Sequence, residues 1–330
     1  MLLTELFNIS TKPINEGGNV FDGKTTDIKR EHIKPTITAF FAEMQKVFPN
    51  KAAIFQESDD HFSPLGSTYK KPKSGDIDLG IDAHMMLDKE MSDASISEWG
   101  IDPKAVAATF EKLKSRARTA TPEQLRMKAF LLNLVLYINA NAPIAYCDEK
   151  KVTYGQIFFC YPQIDENGQD LGVGVQIDWD IGNLEWLKFA YYSSGHQEGS
   201  NVKGLHRTQL MLSAFQVAGL SFIHLSGVKD KATGEVIADN PTQALQVLSE
   251  RLGFEISRAD AEDYYKLHKL LKSKMTPQQY DLLLNIYFKI LDSTRADIPD
   301  DMQKDWLAKK DQLGLTGKFL PDTSALKAQL

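Results

Sequence analysis

The stretch Asp76-Ile77-Asp78-Leu79-Gly80-Ile81 constrains this chain more than any other. Polar and apolar residues alternate there, and side chains two apart on a strand point to the same face. Ile77, Leu79 and Ile81 therefore demand a hydrophobic layer on one side. Asp76 and Asp78 stand together on the other. Two adjacent carboxylates beside a core are costly unless a cation neutralises them. Oxygen ligands suit Mg²⁺, which is commonly held by one or two carboxylates plus substrate phosphates, with Mn²⁺ as the alternative. Two ions are expected, one clamping the attacking and one the leaving oxygen of an in-line phosphoryl displacement.

The flanking residues supply phosphate donors. Gly66-Ser67 offers a small residue for close backbone approach, then a hydroxyl and N–H groups. Lys70, Lys71 and Lys73 lie between that turn and the carboxylates, and Ser74-Gly75 makes a second small, donor-rich turn. A third carboxylate is expected from Val173 to Ile181. There Asp178 and Asp180 share one face while Val175, Ile177, Trp179 and Ile181 share the other, so either aspartate qualifies. One of them can help deprotonate an attacking hydroxyl.

The remaining pattern predicts an α+β chain with a helical C-terminal extension. A helix is expected from Asp27 to about Phe48, with Ile33, Ile37, Phe40, Phe41, Met44 and Val47 on one face. Ala52 to Gln56 reads as a short strand. Asp102-Pro103 and Thr121-Pro122-Glu123-Gln124 each signal a helix start. Gly155 to Pro162 and Gly172 to Ile181 read as strands joined by the turn Asp165-Glu166-Asn167-Gly168. A helix carrying Leu210, Leu212, Phe215 and Val217 follows. Ser221 to Val228 and Glu235 to Ala238 are expected as a hairpin, and Asn240-Pro241 opens a helix that Gly253 stops. From Asp260 onward the pattern is all helical.

Net charge is −6 over 330 residues. Proteins that live by non-specific duplex binding are usually basic, because neutralising phosphates releases counterions. Nucleic-acid contacts must then come from local patches such as Lys112, Lys114, Arg116 and Arg118, or Lys266, Lys269, Lys272 and Lys274. No apolar run approaches the roughly 20 residues a membrane span needs, so no membrane partner is expected. Cys147 and Cys160, without metal-ligand spacing, and a start lacking signal-peptide character point to a cytoplasmic, reducing location.

Gly66-Ser67-Thr68-Tyr69-Lys70-Lys71-Pro72-Lys73-Ser74-Gly75-Asp76-Ile77-Asp78 resembles the signature of the DNA polymerase beta superfamily, closest to its family X DNA polymerases. The likeness runs in order, with interruptions, from about Ile28 to Leu252. Gln176-Ile177-Asp178 resembles the strand bearing the third aspartate, and Tyr191-Tyr192-Ser193-Ser194-Gly195 the family's aromatic turn. The resemblance implies a nucleotidyltransferase palm over 1–195, with a mixed or antiparallel sheet and helices on one face. It also implies a thumb-like nucleotide-selecting subdomain over 196–255; the helical extension over 256–330 has no counterpart in the family. Asp76, Asp78 and Asp178 would be the catalytic metal ligands. Arg30, Gly66, Ser67, Lys70, Ser74 and Gly75 would contact the triphosphate, and Tyr191 and Tyr192 the sugar and base. Lys203 and Arg207 stand as phosphate contacts or plain surface. About thirty residues precede the matched region, too few for a lyase domain, and no helix-hairpin-helix pattern is found.

The expectation is therefore a Mg²⁺-dependent transfer of a nucleoside monophosphate from a nucleoside triphosphate to a hydroxyl, as in a DNA polymerase or terminal transferase of repair type. Nucleic acid, DNA more than RNA, is the expected partner. The alternatives are transfer to RNA ends, a protein or a small molecule, or a non-catalytic nucleotide-binding protein on the same scaffold.

Overall fold

The computed structural model describes residues 20–315, apart from 22, 118–119, 194–200, 225–226 and 295. Arg118, Ser194 and Gly195 of the sequence reading lie outside the described residues.

The chain opens with β1 (Ile28–Lys29) and α1 (Arg30–Val47), whose buried face carries Ile33, Ile37, Phe40, Phe41, Met44 and Val47. The expected strand at 52–56 is instead a 3-10 helix, Pro49–Ile54. Pro49 presets a helical φ and has no N–H for a ladder, and the N–H groups of Lys51 and Phe55 bond within the turn, to Phe48 and Ala52. Then come β2 (Ser63–Pro64), β3 (Lys73–Ser74) and β4 (Asp76–Asp82), followed by the short helices α2 (Ala83–Met86) and α3 (Asp93–Ser97).

The two signposted helices form as expected. Asp102 caps α4 (Pro103–Lys114), and Thr121 with Gln124 makes a reciprocal capping box on α5 (Pro122–Asn141). β5 (Tyr146–Cys147), β6 (Gln156–Ile164) and β7 (Asp170–Gly182) complete a mixed five-stranded sheet in the order β2-β4-β7-β6-β5. Its single parallel pairing is β4 with β7; the other pairs are antiparallel. Ile77, Leu79, Ile157, Phe159, Ile177 and Trp179 face α1 and α5. There Trp179 packs 4.6 Å from Phe159 and 4.8 Å from Phe62, centroid to centroid. That layer fixes which face is apolar and leaves the aspartates on the other.

A second core begins at α6 (Leu184–Ala190) and α7 (Gly204–Val217). The residues 221–228, expected as one strand, are two: β8 (Leu220–Ile223) and β9 (Gly227–Asp230), in a three-stranded sheet with β10 (Val236–Ala238). Gly227 opens β9. Its φ is +101°, and a Cβ there would meet the Ala238 carbonyl at 2.1 Å. α8 (Pro241–Leu252), α9 (Arg258–Ala261), α10 (Tyr264–Lys274), α11 (Pro277–Thr294) and α12 (Gln303–Leu313) follow. In this second core Leu210 and Phe215 of α7 join Leu267, Tyr287 and Trp306 of the later helices. No helix among the described residues is long and apolar enough to cross a membrane.

Candidate metal centre

Parallel pairing of β4 with β7 sets the site. Asp78 stands opposite Asp178, Asp76 opposite Gln176, and Gly80 opposite Asp180. One carboxylate oxygen each from Asp76, Asp78 and Asp178 lies within 4.8 Å of the others, so the three can hold a metal ion together.

Asp180 shares the face and does another job. It is 1 % exposed, and Gln156 Nε2 donates to it at 2.6 Å. The same amide donates to the Tyr191 hydroxyl at 3.1 Å, and that hydroxyl also bonds Asp180. Asp178, in turn, is gripped by Gln176 Nε2, which donates to both of its oxygens at 2.8 and 3.0 Å. The choice left open by the strand pattern is thus made by register and by amide partners.

The electrostatics match a cation site. Burial, then the charges of Asp76, Asp178 and Asp180, push the Asp78 carboxyl well above the usual range. Burial, then Asp76 and Asp180, do the same to Asp178, against the opposing pull of Gln176. Burial raises Asp180 to about 6, opposed by its bonds from Gln156 and Tyr191. Desolvated carboxylates that repel one another favour protonation or a bound cation. The all-oxygen donor set fits a hard divalent ion.

The turn before β4 is built around Asp78. Thr68 Oγ1 accepts the Asp78 N–H at 3.0 Å, and the Leu65 N–H donates to the Asp78 carbonyl at 2.9 Å. Gly66 has φ +56°, and a Cβ there would lie 2.5 Å from Asp78 Oδ2. Only glycine leaves that carboxylate its place. Across the loop, Ser67 Oγ and Ser74 Oγ lie 3.5 Å apart. The ladder of β1 with β3 pairs Ile28 with Ser74. Arg30 follows directly, its N–H donating to the Pro72 carbonyl and its Nε to that of Lys71. Arg30, Gly66, Ser67, Ser74 and Gly75 therefore border one loop beside the carboxylates.

Other expected contacts are placed differently. Lys70 turns to the Ser193 carbonyl (2.8 Å) and lies 4.9 Å from the centroid of the Tyr192 ring, and burial lowers its pKa. Lys203 pairs with Asp297 at 3.5 Å. Arg207 is neither surface nor an open phosphate contact. It is 2 % exposed and donates to the carbonyls of Phe189, Ala190 and Ala261. Its pKa falls to about 10 through burial, so it remains charged at neutral pH. Three backbone acceptors satisfy Nε and Nη1, while Nη2 is buried without a hydrogen-bond partner among the described residues.

Sequence reasoning missed Gln156, Thr68 and His224. His224 lies 5.5 Å from the Tyr191 ring and is held neutral, its pKa lowered to about 4 by burial and Arg207. Alternation along β6 puts Gln156 on the carboxylate face, but only pairing with Asp180 gives it a task.

No protein-family model matches the chain, and no curated protein matches it significantly.

Proposed function

We propose that this chain is a divalent-metal-dependent nucleotidyltransferase, nearest in type to the family X DNA polymerases. It adds a nucleoside monophosphate from an NTP or dNTP to a 3′-hydroxyl and releases pyrophosphate. The observation that carries the reading is the convergence of Asp76, Asp78 and Asp178 to within 4.8 Å, beside a glycine that can bear no side chain. The likeness of Gly66 to Asp78 to that family's signature supports it.

Asp76 and Asp78 would hold both ions, and Asp178 the one nearest the attacking hydroxyl. When bound, Mg²⁺ or Mn²⁺ supplies positive charge beside the reacting phosphate. Asp178 takes the proton of the acceptor hydroxyl. The freed oxygen bonds to the α-phosphorus, the bond from that phosphorus to the bridging oxygen breaks, and pyrophosphate leaves. Ser67, Ser74, Arg30 and the Gly75 backbone offer donors to the triphosphate, and Tyr191 and Tyr192 flank the sugar and base. Gln176 and Gln156 orient Asp178 and Asp180. A cytoplasmic role in DNA processing, repair included, belongs to this reading.

The test is incubation of labelled dNTP or NTP with a primed gap in DNA and, separately, with tRNA, in Mg²⁺ and in Mn²⁺. Transfer to the primed gap that Asp78→Asn abolishes is the expected result. No extension in either metal overturns the polymerase reading, and transfer to tRNA alone redirects it to RNA ends.

A further inference from the structure

The basic residues of the α4–α5 hairpin have no part in the carboxylate site. Between Lys112 and Lys128 stand six basic residues and one acidic one, a local +5 on a protein of net charge −6. Lys112, Lys114, Arg116 and Arg126 are exposed. None of the four forms an ion pair with a described carboxylate.

The packing leaves this surface open. α4 fully buries only Val106, with Phe110 and Leu113 partly packed against the core. Asn133 Nδ2 ties α5 to Thr109 of α4 at 3.0 Å. Phe110 gathers cations from both helices: Lys114 Nζ lies 5.8 Å and Arg126 Cζ 5.7 Å from its ring centroid. Such contacts contribute roughly 0.5–1 kcal/mol each at exposed sites, while drawing like charges together. The carboxyl-terminal dipole of α4 absorbs only about half a unit of positive charge. Lys112, Lys114 and Arg116 bring three. The surplus positive potential calls for an anion with repeated charges.

We infer that the exposed basic surface around the end of α4 and the start of α5 grips the phosphodiester backbone of a nucleic acid without regard to base sequence. This rests on the reading that the acceptor is a nucleic acid. Backbone rather than base contact follows from the side chains present. The cations are exposed, whereas Phe110, the ring that Lys114 and Arg126 share, is half-buried and covered by both. On an acidic protein the grip is local, so salt should weaken it steeply.

The test is fluorescence anisotropy of the full chain in EDTA over a salt series, with a labelled single strand and a labelled duplex. The triple variant Lys112→Gln, Lys114→Gln, Arg116→Gln should lower the slope of log K against log salt. The drop is about 2 for the single strand, and between 2 and 3 for duplex, if all three neutralise phosphates. Which probe shows its full drop identifies the form bound. Lys266→Gln with Lys269→Gln, also exposed and basic but on α10, should leave the slope as in the unaltered protein. An unchanged slope in the triple variant overturns the inference. So does an equal drop in the α10 variant, or equally tight binding of poly-glutamate by the unaltered protein. Nucleotide transfer is scored separately: its absence with salt slopes as expected defeats the enzymatic reading, and intact transfer with an unchanged slope defeats only the grip.

Discussion

Asp78→Asn keeps the shape of the side chain and removes its charge. The three candidate ligand oxygens lie within 4.8 Å of one another. At that separation two unit charges repel by about 3.5 kcal/mol for an effective dielectric of 20. Asp78 faces two such neighbours, so the repulsion before any relief is about 7 kcal/mol or more. Most of this is already relieved, because the raised pKa of Asp78 lets the site take up a proton. A net gain of about 2–3 kcal/mol for the metal-free variant near pH 8 is what remains. For a chain this long, 1 kcal/mol moves the melting temperature by about 1.5 °C, so the variant should melt about 3–4 °C higher in EDTA. Millimolar MgCl₂ or MnCl₂ should reverse the order, raising the unaltered protein by mass action and the variant little. Differential scanning fluorimetry with and without metal measures both. A variant that melts below the unaltered protein in EDTA, or a metal that raises both equally, would show that these carboxylates are not a strained cation site.

Gly66→Ala should abolish metal-dependent stabilisation, since its Cβ would sit 2.5 Å from Asp78 Oδ2 at a backbone φ of +56°; isothermal titration with Mn²⁺ reads this directly. Arg207→Met should destabilise by about 1–3 kcal/mol, measured by urea unfolding, because the Ala261 carbonyl loses its side-chain donor while those of Phe189 and Ala190 keep only the Tyr192 N–H and the Thr208 hydroxyl. Asp180, raised from 3.8 to about 6, holds its proton more tightly folded than unfolded. Its stabilising contribution is therefore complete below about pH 3.8, is lost as pH rises to about 6, and stays lost above, a change of about 3 kcal/mol. Asp180→Asn should flatten that part of the metal-free stability profile, and a profile of unchanged slope between pH 4 and 6 would count against the buried carboxyl.

Period-two alternation was enough to put Asp76 with Asp78 on one face and Asp178 with Asp180 on one face, because side-chain direction in a strand depends only on parity. The capped starts of α4, α5 and α8 were equally readable, since a cap is a contact within four residues. Where the chain pairs with itself a hundred residues away, local pattern carries no information. Register alone set Asp178 beside Asp78 and moved Asp180 to Gln156 and Tyr191. Gly227 opens β9, and only the approach of the Ala238 carbonyl makes glycine obligatory there. Arg207 reads as a phosphate contact or surface by its charge, and three main-chain carbonyls from two other helices made it core. The sequence determined what each face offers; tertiary contacts decided which carboxylates converge and which cations stay exposed.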